Sequence, residues 1–167
     1  MNKYCLTLII FVFSFKIALG AVKVNSIIKL DDNIPEECGL SFIFKHNDSL
    51  TEAIVYVKKT EGNNTLTQFK IISKNIVEKA NIITASLELN KIITQKIKSE
   101  SNFFMSGETN QDSMSIFFQE ILIGGANVLI DQSSYEIKGP IDSKVRLEYL
   151  FCTGEMFLPN YESNKNE

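Results

Sequence analysis

The sequence predicts an all-β protein, an antiparallel β-sandwich or barrel of about eight to nine short strands. Three observations lead there. Short runs rich in Val, Ile, Phe, Tyr and Thr recur along the chain, and polar residues alternate with the apolar ones at the two-residue period of a half-buried strand. Clusters of Asp, Asn, Gly and Pro separate these runs and favour turns. The alternation itself points to antiparallel pairing, because strands of buried parallel sheets read as continuous apolar runs.

In chain order, Met1 to Gly20 reads as a secretory signal peptide. Asn2-Lys3 is a short positive start, Cys5 to Phe15 is apolar, and Ala18-Leu19-Gly20 offers small residues for cleavage. Lys16 interrupts the apolar run short of the roughly 20 residues that span a bilayer, and no later stretch is apolar enough to do so. The expected organisation is a signal peptide over 1–20, a single β-domain over 21–159 and a disordered polar tail over 160–167.

Val22 to Leu30 is the first strand, with a bulge where its parity slips. Asp31 to Pro35 is a turn, Leu40 to Lys45 a strand, His46 to Ser49 a turn, and Ala53 to Lys59 a strand rich in β-branched residues. Glu61 to Asn64 reads as a hairpin loop and Leu66 to Ser73 as the returning strand. Residues 75–98 fit either a strand at Asn81–Leu89 or one short helix, and alternation after Ile83 favours the strand. Ser99 to Ser115 reads as a long polar loop broken by Phe103-Phe104-Met105. Ser115 to Ile123, Asn127 to Asp131 and Tyr135 to Lys138 read as strands, with Gly124-Gly125 and Gly139-Pro140 as breaks.

Lys144 to Cys152 reads as the closing strand, because Val145, Leu147, Tyr149 and Phe151 share one parity against Lys144, Arg146 and Glu148. It ends in one of the two cysteines that outlast signal cleavage; the other, Cys38, opens the run of Leu40, Phe42 and Phe44. In an oxidising compartment, two cysteines most simply form one bond, so a structural disulfide Cys38–Cys152 is expected between the first core strand and the last. The absence of a CxxC spacing argues against a redox role.

Composition narrows the functional classes. The net charge of −3 becomes −5 once the signal peptide, with Lys3, Lys16 and no acid, is removed, leaving 15 basic against 20 acidic side chains. Arg146 is the only arginine, so a nucleic-acid-binding surface of clustered Arg and Lys is not expected.

The catalytic and metal motifs are weak. His46 is the only histidine and reads as a surface-turn residue, which leaves no imidazole set for zinc and no triad. Glu36-Glu37, Glu148 and Glu155 share no legible cleft. Glu108, Asn110 and Asp112 imitate the start of a calcium loop, but Ser113 stands where glycine belongs and Gln119 where the closing acid belongs. No enzyme, metal or cofactor is expected. Two glycosylation sequons, at Asn47 and Asn63, fall in expected loops.

The resulting expectation is a protein that is secreted, or periplasmic in a bacterial source, and non-enzymatic. It binds or assembles with another extracellular macromolecule through edge strands and loops. The alternative is an extracellular carrier of a small hydrophobic ligand, with Phe42, Phe44, Phe103, Phe104, Phe117 and Phe118 lining a cavity.

Overall fold

A computed structural model of the chain describes residues 22–60, 65–95 and 102–156. The signal segment 1–20, the tail 160–167 and the hairpin loop holding Asn63 lie outside the described residues.

The described chain is mostly β, with eight strands in two antiparallel sheets. β1 (Lys23–Asp31), β2 (Ile34–His46), β3 (Ser49–Lys59) and β4 (Thr65–Ile72) form a meander, and β5 (Ala80–Ile83) begins the second sheet. A single-turn helix, α1 (Leu89–Ile92), precedes β6 (Phe103–Thr109), which pairs with β4 at the edge of the first sheet. After α2 (Gln111–Gly124), β7 (Gly125–Ile130) and β8 (Ser133–Lys138) complete the second sheet in the order β5-β7-β8, and α3 (Ser143–Met156) follows.

Turn chemistry sets the register. Asp32 and Asn33 have φ of 46° and 66°, and Asn47 and Asp48 have φ of 47° and 60°. Positive φ at both central residues is what a two-residue type I′ hairpin requires, and Asn and Asp tolerate it. These turns pair Asp31 with Ile34 and His46 with Ser49. The bulge expected at the parity slip near Ile27-Ile28 of β1 is not there; the register instead shifts between Lys29 and Leu30, where Pro35 faces Leu30 and Glu36 of β2 is the unmatched residue. Pro35, expected in the turn, therefore enters β2 where a ladder donor is dispensable.

One parity of the first sheet carries the core. Cys38, Leu40 and Phe42 of β2, Ala53, Val55 and Val57 of β3, and Phe69 of β4 are fully buried. The same cluster takes in Ile82, Val128 and Ile130 of the second sheet, Phe117, Phe118 and Ile121 of α2, and Tyr149 and Cys152 of α3. The sheets also touch directly, with the Phe44 and Tyr135 rings stacked 4.2 Å apart.

Two expected strands are helices. Ser115–Ile123 lies inside α2, whose buried residues Met114, Phe117, Phe118, Ile121 and Leu122 recur at helical spacing. Asn110 caps α2 by accepting from the Asp112 amide at 2.8 Å, and Gly125, with φ of 85°, ends it. Lys144–Cys152 lies inside α3, which buries Val145, Tyr149, Cys152 and Met156, spaced by four, three and four residues. Asp142 starts α3 by accepting from the Lys144 amide at 2.9 Å.

The long loop expected at 99–115 is likewise occupied by β6 and the first turn of α2. The strand favoured over 81–89 stops at Ile83, and the short helix lies within 75–98. The all-β expectation is thus corrected to a β-rich fold carrying two fourteen-residue helices.

The Cys38–Cys152 pair stands at disulfide distance, with 1.95 Å between sulfurs and 5.8 Å between Cα atoms, across 114 residues of chain. It joins a strand to a helix, not two strands. Replacing both cysteines with alanine is expected to lower the unfolding free energy by about 4–5 kcal/mol in the chain-entropy treatment. A urea midpoint unchanged from the oxidised chain would show that the bond constrains nothing.

Candidate docking groove between the long helices

The inward faces of α2 and α3 are consumed by the core. Tyr149 is buried and stacks on Phe118 at 4.7 Å, and its hydroxyl points at Met114 Sδ 3.9 Å away. Burial drives this phenol well above its ordinary ionisation range. α3 is also fastened to the first sheet, because Ser26 Oγ of β1 donates to the Glu148 carboxylate and Cys152 bonds to Cys38 of β2.

The outward faces are unusually apolar. Leu147, Leu150 and Phe151 of α3 are 54%, 53% and 69% exposed, and Ile116 and Ile123 of α2 are 49% and 66% exposed. Single exposed apolar residues are ordinary, whereas a contiguous patch marks a contact surface. Four of these five line a connected set of depressions over the two helices. One part, about 650 Å³, is lined by Gln119, Leu122, Ile123, Ser143, Arg146, Leu147 and Leu150. A second, about 350 Å³, shares Gln119, Leu122 and Leu150 and runs on to Thr153 and Gly154.

Charge in the groove is sparse and uneven. Arg146 forms no ion pair among the described residues, and its Nε is buried without a hydrogen-bond partner. The Glu120 carboxylate, beside Ile116 and Ile123, is already engaged by the hydroxyls of Ser86 and Thr84 and by the Ser86 amide at 3.3 Å. Those bonds, the Ser86 hydroxyl foremost, hold it below the ordinary carboxylate value of 4.5.

Other residues marked by the sequence are placed as follows. His46, expected on the surface, is 2% exposed. Its side chain turns inward from the hairpin: Nδ1 lies 2.6 Å from Tyr135 Oη, and Nε2 lies 3.2 Å from the Asn47 amide nitrogen. The hydrogen bond between the His46 ring and the Tyr135 hydroxyl joins the two sheets. Asn47 itself is exposed at the hairpin tip.

The acidic residues are dispersed. Glu36 pairs with Lys29 and Lys58, Glu37 pairs with Lys29, and Glu148 pairs with Lys144 at 3.7 Å. Asn110 is a helix cap, Glu108 lies in β6, and no group of three or more metal-ligating side chains occurs among the described residues. The groove residues Ile116, Ile123, Leu147, Leu150 and Gly154 were not marked as a site. Asn110 and Asp142, each ahead of a buried helical stripe, were the signals that could have revealed the helices bearing them.

No protein-family model, curated protein or solved structure matches the chain.

The lowered ionisation range of Glu120 makes a signed prediction. A depressed folded-state pKa stabilises above the ordinary carboxylate range, and that stabilisation is lost as pH falls through the folded value. Glu120→Gln is therefore expected to be less stable than the parent near neutral pH, with the two urea midpoints converging in acid. A gap that stays constant with pH would rule out the carboxylate as its source.

Proposed function

We propose that the chain is an exported, non-enzymatic, β-rich domain that binds another extracellular macromolecule through the outer face of α2 and α3. The observation that carries this reading is the set of five large apolar residues left about half exposed or more, from 49% to 69%, on two helices whose inward faces are used by the core. Leaving them in water is unfavourable by tens of calories per mole for each square ångström, an expense that a partner removes.

Export is supported by the signal-like start and by the Cys38–Cys152 pair, since such bonds persist in oxidising compartments. No helix among the described residues is long and apolar enough to cross a membrane. Asn47, exposed on a hairpin tip, is suitably placed to carry a glycan, and Asn63 is the second acceptor proposed from sequence. The Phe44–Tyr135 stack supports a sandwich-like meeting of the sheets. A non-enzymatic role is supported by His46, whose ring nitrogens are both engaged in the fold.

The carrier reading is weaker. It needs a cavity lined by phenylalanines, yet Phe42 and Phe117 are fully buried in the core, and Phe118, 1% exposed, borders only the smaller part of the groove. The groove has the volume of a small-molecule site, but such sites enclose most of the ligand, and walls as exposed as Ile123 and Leu147 do not.

The chain is expected to retain a stoichiometric partner from the extracellular fluid of its source, and the Leu147→Asp/Leu150→Asp double variant is expected to lose it. Both positions are exposed, so each change should shift stability by no more than about 0.5 kcal/mol. Equal retention by the parent and a folded double variant would overturn the assignment of this face.

A further inference from the structure

We infer that the groove between α2 and α3 receives an amphipathic helix of the partner, apolar on one side and bearing a carboxylate that pairs with Arg146. This rests on the reading of the α2–α3 face as a binding surface and adds the shape and charge of what docks there.

The two fourteen-residue helices, each about 21 Å long at 1.5 Å per residue, both contribute residues to an apolar trough. Leu147 and Leu150 on one side and Ile123 on the other stand more than half exposed, so the occupant must be broad enough to cover their tops as well as fill the space between them. A third helix does this by laying its own side-chain ridge between the other two, whereas a single acyl chain leaves the tops in water.

Gly154 supplies a separate argument. It lies inside α3, where glycine costs roughly 1 kcal/mol against alanine, yet a Cβ there would meet nothing within 4 Å. Within the described fold, nothing requires its missing side chain. It lines the groove, and a missing side chain at that point lets a partner backbone approach closely.

Charge is argued from Arg146. It is the sole arginine of a chain whose other cations are lysines, it lines the larger part of the groove, and its buried Nε has no partner. A guanidinium offers donors in a planar fork suited to a carboxylate, and an arginine without an ion pair in its own fold can meet one from a partner through its terminal nitrogens. Glu120, the acid that lines these depressions, is occupied by Thr84 and Ser86. Arg146 has no ion-pair partner among the described residues, which leaves its charge open to a carboxylate brought by a partner.

The test titrates the purified, disulfide-bonded chain with two synthetic amphipathic helical peptides that share a leucine face and differ only in polar residues, glutamate in one and lysine in the other. The glutamate peptide is expected to bind about tenfold or more tightly. Arg146→Glu is expected to reverse that preference. Gly154→Ala is expected to raise the thermal midpoint while weakening the glutamate peptide, a pairing that a purely structural glycine would not give.

Several results would overturn the inference: equal affinity for both peptides, a preference untouched by Arg146→Glu, self-association of the chain through this face, or binding only to anionic vesicles or a long-chain carboxylate. If the leucine double variant loses the natural partner while the peptides show no preference, the binding face stands and the acidic helix falls. If the double variant keeps that partner, the face itself was misassigned.

Discussion

Cys38 sits inside β2, where its neighbours Leu40 and Phe42 begin the core, and Cys152 sits near the end of α3. Binding these two points together removes a closure of more than a hundred residues from the unfolded ensemble. The effect is comparable to burying two or three large apolar side chains, each worth about 1.5–3 kcal/mol. Without it α3 would be held by a short buried stripe and the Ser26–Glu148 hydrogen bond. The covalent bond thus adds to that packing in holding α3, and with it one wall of the groove, against the first sheet.

Much of the sheet architecture was legible in the sequence. The hairpins at Asp32-Asn33 and Asn47-Asp48 combine turn-forming residues with alternating flanks, so local chemistry and burial agree. The cysteine pairing followed from counting. What failed was the distinction between strand and helix in short apolar runs. In α3, Val145 and Tyr149 are buried by the helix, while Leu147 and Phe151 are not. A strand reading assigned all four to one core face. The same confusion hid α2, where Ile116 and Ile123 stand outside the buried stripe of Phe117, Phe118 and Ile121.

That failure has a physical cause linked to the groove. A helix is recognised by apolar residues confined to one side. In these helices, apolar residues also occupy the side away from the core, which erases the period. The very residues that misled the periodicity argument form the exposed face, and local inconsistency of this kind is expected where a surface serves something beyond stability. His46 is a different case. Its position after a strand and before Asn-Asp suggested water, and only the arrival of Tyr135 from a strand distant in sequence turns it inward. No local signal carries that information.

The two helices are anchored to different parts of the framework. α3 is stapled to β1 and β2, whereas α2 connects β6 of the first sheet to β7 of the second and is tied through Glu120 to the segment after β5. The two also meet directly, Tyr149 stacking on Phe118 and reaching Met114, so their separation is set by that packing together with these anchors. On the proposed reading, docking needs little rearrangement of the host, and the ordering entropy falls mainly on the incoming molecule. The seam where Phe44 and His46 meet Tyr135 holds the two sheets together without lending a wall to the groove, so the joint between the sheets and the groove are built from separate sets of side chains.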